Sequence, residues 1–464
     1  MREVKSAVVL VEENANNVLN LQRLFGGETL LGRSLIALSK SGIESATILC
    51  RDGVRETLVD LISKVNPRRI TLSIKIHETD DTIGHALGNL ASGSSEPILL
   101  FPLKSILHPS MLTQLTTETK RTILPTYEKV RVAEGEITID SSVNQKFAVM
   151  FKAKGWIRVN IQGDKVVEIG SGPLIAGPLI VLHPSDLSMC AEASDFDDLT
   201  RQLLQNGRLF TKPIGLSWWM PVKSPVPEQQ VKDFFWKVAF KEISGEFSKA
   251  VNSKFSRPLS FWLANHGVAP DTISNASLLL FLASSSLLLI PASWALMSFA
   301  IIWQFSAGIL DRCDGEVARI RNYETEKGGR FDMIIDDLRF ILPFVFLGIM
   351  LGTDNNPLFW SATAACVTWT LGFTFYEQAY MRTTGYSSRQ VLYVDYLKLV
   401  GEKQSSSFKK YVPLIKGDIR TFYVTILCFF GNRPLVFIVL GIYLTVVPLV
   451  SFFGIGKFKK AGFR

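Results

Sequence analysis

An α/β unit in water followed by an all-α bundle of six transmembrane helices is the architecture that three observations support. First, the 464 residues are 47% hydrophobic and only 20% charged, with mean hydropathy +0.22. That excludes a disordered chain, whose hydrophobicity is low and whose charge is high. Second, the apolar excess is concentrated after Thr272, whereas the residues before it alternate short β-branched runs with helical patterns. Such alternation marks a mostly parallel sheet covered by helices. Third, Lys and Arg exceed Asp and Glu by 50 to 42, a net charge of +8, and the cations near the apolar segments gather on one side of them. The positive-inside bias of membrane proteins has this form.

Residues 7–11 read as a buried strand, 30–41 as an amphipathic helix stopped by Gly42, and 46–50, 70–76 and 98–101 as further strands. The N-terminal MREVKSAVVLVEENANN lacks a signal-peptide cleavage pattern and is expected to be a cytoplasmic strand. Five Cys without CxxC and five His without HExxH exclude a disulfide framework and a zinc site. Six spans are predicted at 272–290, 292–310, 338–351, 358–376, 422–430 and 435–453. A span needs about 20 apolar residues, so the third and fifth are expected to extend into polar flanks.

The loops near Pro291, Asp354 and Asn432 hold one cation, Arg433. The 379–421 loop holds Arg382, Arg389, Lys398, Lys403, Lys409, Lys410, Lys416 and Arg420, and the tail holds Lys457, Lys459, Lys460 and Arg464. Both termini and the 311–337 region are therefore expected in the cytoplasm. Residues 234–266 interleave Trp236, Phe240, Phe247, Phe255 and Trp262 with Lys237, Lys241, Lys249, Lys254 and Arg257. This is the pattern of interfacial helices on an anionic leaflet. The expected division is 1–225 (cytoplasmic α/β), 226–271 (juxtamembrane helices) and 272–464 (transmembrane bundle).

The chemistry lies where the second span ends and the third begins. Asp311 and Asp314 are i,i+3 on one helix, and Asp332 and Asp336 are i,i+4 on the next. Antiparallel neighbours would gather all four carboxylates at the cytoplasmic end. Bare, they would repel one another. Divalent ions with oxygen ligands remove that cost, and Mg²⁺ typically joins carboxylates to substrate phosphates. Gly315 and Ala318 keep bulk away from the site. The alternatives are a solvated acidic helix end paired with Arg312, Arg319 and Arg330, or a cation transporter whose carboxylates line an ion path.

Asp311, Asp314, Gly315, Ala318, Arg319, Gly328, Asp332 and Asp336 spell D-x2-D-G-x2-A-R-x8-G-x3-D-x3-D. This resembles the signature of the CDP-alcohol phosphotransferase family, with every defining position present. Val268-Ala269-Pro270-Asp271-Thr272-Ile273-Ser274 is similar to the family's entry into its first span, with Asp271 for the usual Asn. The resemblance covers about 235–464. It implies that Asp311, Asp314 and Asp332, with Asp336, hold two Mg²⁺ or Mn²⁺ ions, and that Asp336 is the general base. It also implies that Gly315, Ala318, Arg319 and Gly328 form the nucleotide site. Asp337 is expected to be structural, because its side chain points about 100° away from that of Asp336 on a helix.

The implied reaction moves a phospho-alcohol or phosphatidyl group from a CDP-linked donor, CDP-diacylglycerol or a soluble CDP-alcohol, to a hydroxyl acceptor, releasing CMP in polar-lipid or related synthesis. Lys416-Gly417-Asp418-Ile419-Arg420 resembles the acceptor segment of the di-inositol enzymes of the family. Arg382, Lys416 and Arg420 are thus expected to bind a phosphorylated polyol such as an inositol phosphate. The other expected partners are the bilayer and a second copy of the chain, with no nucleic acid.

The N-terminal half resembles, in layout, the Rossmann-like nucleotidyltransferase sheet of bifunctional inositol-1-phosphate cytidylyltransferases fused to such a module. Phe25-Gly26-Gly27-Glu28-Thr29-Leu30-Leu31 is similar to a segment of those transferases, and residues 216–233 to their closing segment. The chemistry-bearing residues differ. Glu12-Glu13 stand where a Gly-rich loop would hold triphosphate, Pro102-Leu103 where Gly-Asp would hold a metal, and Lys223 where a second acid would stand. A degenerate domain without cytidylyl transfer is expected. The alternative for this domain is an active site built on Glu78, Asp80 and Asp81, within a stretch that reads as a solvated loop; a further alternative makes the whole chain a nucleotide-binding scaffold that binds CDP without turnover.

Overall fold

The computed structural model describes residues 4–12, 22, 24–65, 69–91, 96–116, 121–133, 136–139, 157–171, 173–214, 219–222, 228–239, 248–353, 357–384 and 417–460. The chain divides into two compact units, Met1–Val238 and Ala239–Arg464.

The first unit is built on an eleven-stranded sheet. Its strands are β1 (Ser6–Val11), β2 (Ser45–Cys50), β3 (Ser73–Glu78), β4 (Ile98–Pro102), β5 (Thr122–Ala133), β6 (Glu136–Ile139), β7 (Ile157–Gln162), β8 (Lys165–Ile169), β9 (Leu174–Ala176), β10 (Ile180–Leu182) and β11 (Leu209–Ile214). Their order is β9-β7-β8-β11-β5-β10-β4-β1-β2-β3, with β6 on β5. The strands expected near 7–11, 46–50, 70–76 and 98–101 are β1 to β4, and they are parallel, with Val8 opposite Thr47 on one side and Leu100 on the other. Buried on both faces, β1 reads as the continuous apolar run Ala7-Val8-Val9-Leu10-Val11. The other half is mainly antiparallel, entered through β10 against β4.

Helix α1 (Leu30–Lys40) starts where the Thr29 hydroxyl accepts from the Gly32 N–H at 3.0 Å. It ends at Gly42, whose φ of +82° suits glycine. Before it, Gly26 and Gly27 turn a short hairpin through φ of +62° and +81°. The buried Arg33 secures that turn: its Nε donates to the Phe25 carbonyl at 2.5 Å, and its guanidinium lies 4.4 Å from the Phe235 ring. Helices α2 (Arg55–Ser63) and α3 (Ile83–Ala91) make the next crossovers, followed by α4 (Pro109–Leu115), α5 (Phe196–Gln205) and α6 (Glu228–Ala239).

The second unit is helical: α7 (Ser253–Asn265), α8 (Pro270–Ser286), α9 (Ser293–Phe305), α10 (Asp311–Ile320), α11 (Glu326–Gly352), α12 (Pro357–Thr384), α13 (Gly417–Phe429) and α14 (Arg433–Lys460). Among the described residues three stretches are long and apolar enough to cross a membrane, Pro270–Leu289, Ser293–Ile320 and Pro357–Thr384, and shorter apolar stretches lie at Ile419–Phe429 and Arg433–Leu449. The interior is aromatic: Trp303 stacks on Phe299 at 5.3 Å and meets Phe340 edge-on, and Phe344 stacks on Phe437 at 4.2 Å. Leu279, Leu358 and Phe375 point outward, each about 70% exposed. Arg433, the lone cation of the short loops, caps the turn between α8 and α9 by donating to the carbonyls of Ile290, Pro291 and Ala292.

Candidate active site

The second span does not run smoothly into the acidic motif. Ser306–Leu310 forms a π-helical turn between α9 and α10. A π turn widens the helix and leaves carbonyls short of partners, and such turns often mark functional sites. Here Ser277 of α8 donates to the Ser306 carbonyl at 3.1 Å, and Ser306 donates back to the Ser277 carbonyl at 2.8 Å. The next residue is Asp311. At the other end α10 is closed by Asn322 in the left-handed region, φ +54°, with the Tyr323 N–H on the Ala318 carbonyl. Arg321 then ties this turn to the Val268 carbonyl and the Tyr323 hydroxyl. Helix α11 starts at Thr325, whose hydroxyl accepts from the Gly328 N–H at 3.0 Å.

These two helix ends bring one carboxylate oxygen each from Asp311, Asp314 and Asp332 within 4.8 Å of one another. Asp314 is oriented by the Ser274 hydroxyl, which donates to its Oδ2 at 2.5 Å, and by the Gly315 N–H on its Oδ1. Asp336 stands outside this trio. Its Oδ1 accepts from Arg339 Nη1 at 3.0 Å, and the same nitrogen lies 2.5 Å from Asp311 Oδ1. Asp337 turns to α12 and accepts from the Thr374 hydroxyl at 2.6 Å.

A second polar network holds α10 from behind. The buried Glu316 accepts from Ser256 and Ser260 of α7, at 3.0 and 2.8 Å, and from Arg312 Nε at 2.8 Å. Neither Glu316 nor Arg339 was singled out from the sequence. For Arg339 the available signal was an arginine inside an apolar helical segment, where unpaired charge is costly; Glu316 lies in an already charged stretch that does not single it out.

Gly315, Ala318 and Arg319, at i, i+3 and i+4, share one face of α10, and Gly328 stands in the first turn of α11. A Cβ on Gly315 would lie 3.3 Å from Arg319 Nη1, so the missing side chain leaves room for that guanidinium. Ala318 is half-buried one turn on, and Gly328 is exposed. Arg420 of α13 reaches the neighbourhood, with its guanidinium carbon 4.6 Å from the ring of Phe340, the residue after Arg339. Arg382 is exposed near the end of α12. Lys416, like Arg389 and the cations at 398–410, lies outside the described residues.

The donor set is oxygen-only and anionic, which suits Mg²⁺ or Mn²⁺. Asp311, Asp314 and Asp332 are the residues that would hold such an ion.

The first unit has a separate pocket of about 350 Å³, lined by Glu12, Cys50, Arg51, Asp81, Lys104 and Asp195 among others. It lies past the carboxyl ends of β1 to β4, where the order reverses between β1 and β4, the usual ligand crevice of an open α/β sheet. An internal ion pair occupies part of its wall. Glu12 accepts from Lys104 Nζ and, at 3.3 Å, from the Phe196 N–H at the start of α5. Burial, with Glu78 nearby, pushes the Cys50 thiol up to about 11, so no thiolate faces this pocket at neutral pH. Asp80 and Asp81 are exposed, and Lys223 and Glu13 lie outside the described residues. Val222 donates to the Lys104 carbonyl, so the strand Trp219–Pro221 closes against Ser105–Leu107 at the pocket's edge.

Three carboxylates that could hold a metal ion thus lie on neighbouring helices beside an apolar helical bundle, and comparison with known proteins gives the class of transferase to which such a domain belongs. Residues 267–451 match the CDP-alcohol phosphatidyltransferase family, and the chain carries a domain of that family in its C-terminal unit. A bifunctional IPC transferase and DIPP synthase of Archaeoglobus fulgidus is 27% identical over 201 residues, 42% of this chain and 39% of that protein. Its Rubrobacter xylanophilus counterpart is 28% identical over 210 residues, 43% and 47%. The inner membrane protein YnbA of Escherichia coli is 35% identical over 94 residues, 20% and 47%. The chain spans less than half the length of these curated relatives. Among solved structures, an inositol-1-phosphate CTP transferase from T. maritima aligns with TM-score 0.38 and 14% identity, over 50% of this chain and 96% of that one. A UDP-glucose pyrophosphorylase aligns with TM-score 0.32 and 13% identity, over 47% and 92%.

Proposed function

We propose that the chain is an integral-membrane CDP-alcohol phosphotransferase. It transfers a phospho-alcohol or phosphatidyl group from a CDP-linked donor to a hydroxyl of a phosphorylated polyol and releases CMP. The observation that carries this reading is the Asp311–Asp314–Asp332 trio with Asp336 beside it but outside it. When bound, two divalent ions on these aspartates neutralise charge on the donor pyrophosphate and on the departing CMP. Asp336 takes the proton of the acceptor hydroxyl. The freed oxygen attacks the phosphorus that bears the alcohol, and the bond from that phosphorus to CMP breaks, its electron pair leaving with CMP. Ser274 and Gly315 orient Asp314, and Gly315, Ala318, Arg319 and Gly328 receive the cytidine nucleotide.

In this reading six helical segments cross the bilayer, beginning with α8 and with α9–α10 and continuing through α11 to α14. Both termini and the carboxylates are cytoplasmic, the chain pairs with a second copy, and α7 lies at the interface. The exposed Phe255 and Trp262 on α7 support that placement, as aromatic side chains favour the headgroup level. The first unit is a degenerate nucleotidyltransferase-like domain: Glu12 already holds Lys104 and the start of α5, where an incoming phosphate would need them. A second reading, in which this unit also transfers a nucleotidyl group, is favoured by the two relatives named bifunctional and by the pocket at the strand ends.

One assay on the purified full chain tests both readings. With Mg²⁺ or Mn²⁺, CDP-diacylglycerol and CDP-inositol are offered with glycerol phosphate, inositol, inositol phosphate and serine, and CMP is measured. CTP with a polyol phosphate is run alongside, and pyrophosphate is measured. CMP without pyrophosphate is the expected pattern. No CMP from any pair defeats the first reading, and acceptor-dependent pyrophosphate establishes the second.

The acceptor is the least constrained partner, and Arg420 is the residue to change. A dianionic acceptor entering a carboxylate-rich site needs fixed cations, and a guanidinium binds phosphate bidentately. Losing one charge-assisted contact costs about 1.5–3 kcal/mol. Arg420→Ala is therefore expected to raise the acceptor KM about 10- to 100-fold with little change in the donor KM. A neutral polyol as the better acceptor, or a rise in the donor KM instead, counts against this site.

A further inference from the structure

Arg339 is in direct contact with both the metal-ligand set and the proposed base. Its side chain is 5% exposed, so it is a fixed part of the site and not a passing counter-charge. Its Nη1 touches Asp311 Oδ1 on α10 at 2.5 Å and Asp336 Oδ1 on its own helix at 3.0 Å. One nitrogen thereby joins two helices and two chemical roles. Asp336, half-exposed at the end of the bundle, has this contact to hold its carboxylate beside the trio.

We infer that Arg339 is a positioning residue with two opposed effects: it holds Asp336 in line for proton removal, and it weakens the hold of the aspartate trio on divalent ions. The first effect follows from geometry. A carboxylate three residues away on the same helix swings freely unless something fixes it, and a base displaced by about 1 Å loses much of its effect. The second follows from charge. A permanent positive charge on Asp311 repels an incoming cation and occupies one of its oxygens, and a guanidinium this deeply buried is weakly screened. The site's negative charge is thereby partly offset before metal arrives. The inference rests on the metal-dependent reading above, and the experiment separates the two.

Mn²⁺ binding is measured by electron paramagnetic resonance on the full chain in detergent, without substrate, beside steady-state kinetics at saturating Mn²⁺. Arg339→Met is expected to bind Mn²⁺ about tenfold more tightly while kcat falls about 100-fold, with the donor KM little changed. Arg339→Lys keeps the charge on a shorter reach. It is expected to bind Mn²⁺ within about twofold of the unaltered chain, with kcat lowered about tenfold. Unchanged or weaker Mn²⁺ binding in Arg339→Met, or full kcat in either variant, overturns the inference. If Arg339→Met does not fold, Arg339→Gln, which also removes the charge, takes its place under the same kcat and affinity criteria. No Mn²⁺ binding by the unaltered chain defeats the metal-dependent reading itself, and the inference falls with it.

Discussion

Asp336→Asn is expected to lower CMP release by at least two orders of magnitude, within the 10²–10⁴ span typical of a lost general base, while Mn²⁺ and CDP still bind. The amide matches the carboxylate in size and can still accept from Arg339, so the α11 backbone and the contact to Arg339 should persist. It cannot take a proton at neutral pH. Because Asp336 lies outside the trio within 4.8 Å, its loss leaves the oxygens of Asp311, Asp314 and Asp332 in place. Turnover with a quench of CMP release, beside CDP binding in the presence of Mn²⁺, checks both halves. Near-normal turnover at neutral pH removes Asp336 from the mechanism.

Asp314→Ala should have the opposite profile, with binding lost as well as rate. Asp314 is the most firmly oriented of the trio, gripped by Ser274 and the Gly315 N–H. Removing it leaves the two remaining carboxylates of the trio on different helices, and a ligand contributed by that helix's first turn disappears. Metal-dependent CDP binding is expected to weaken by about three orders of magnitude, the worth of several kcal/mol of charge stabilisation. The Ser274 hydroxyl keeps the Pro270 carbonyl as an acceptor at 3.2 Å, so little change in thermal stability is expected. CDP binding titrated at fixed Mn²⁺ and without metal is the measurement. Equal metal dependence in the variant and the unaltered chain refutes the assignment. Asp311→Ala should behave similarly, with the added loss of the Arg339 contact.

Those two experiments concern residues whose spacing is plain in the chain. Asp311 with Asp314, and Asp332 with Asp336, share helix faces because three- and four-residue steps return to the same side. Spacing alone suggests four equivalent carboxylates. In the structure Asp336 is set apart from the other three, linked to Asp311 through Arg339, one turn further along α11. That arginine lies within the third apolar segment as read from hydropathy, which averages single charges away. The parallel strands β1 to β4 were legible because strands buried on both faces leave unbroken apolar runs. The strands β6 to β11 were not, since 3- to 6-residue pieces such as Leu174–Ala176 and Ile180–Leu182 are too short to show a period. The pairing of Glu12 with Lys104 joins residues far apart in the chain, and no local pattern encodes it.

The wide turn at Ser306–Leu310 has a consequence for chain length. It contains one residue more than an α-helical turn needs, and that residue sets the facing of everything after it. Deleting any single codon within 306–310 would let the helix wind regularly and turn Asp311 and Asp314 together by about 100°, away from Ser274 and Asp332. A substitution there changes one side chain. A one-residue deletion misaims the whole first half of the motif while every motif residue is still present, so at this point the count of residues carries more information than their identity.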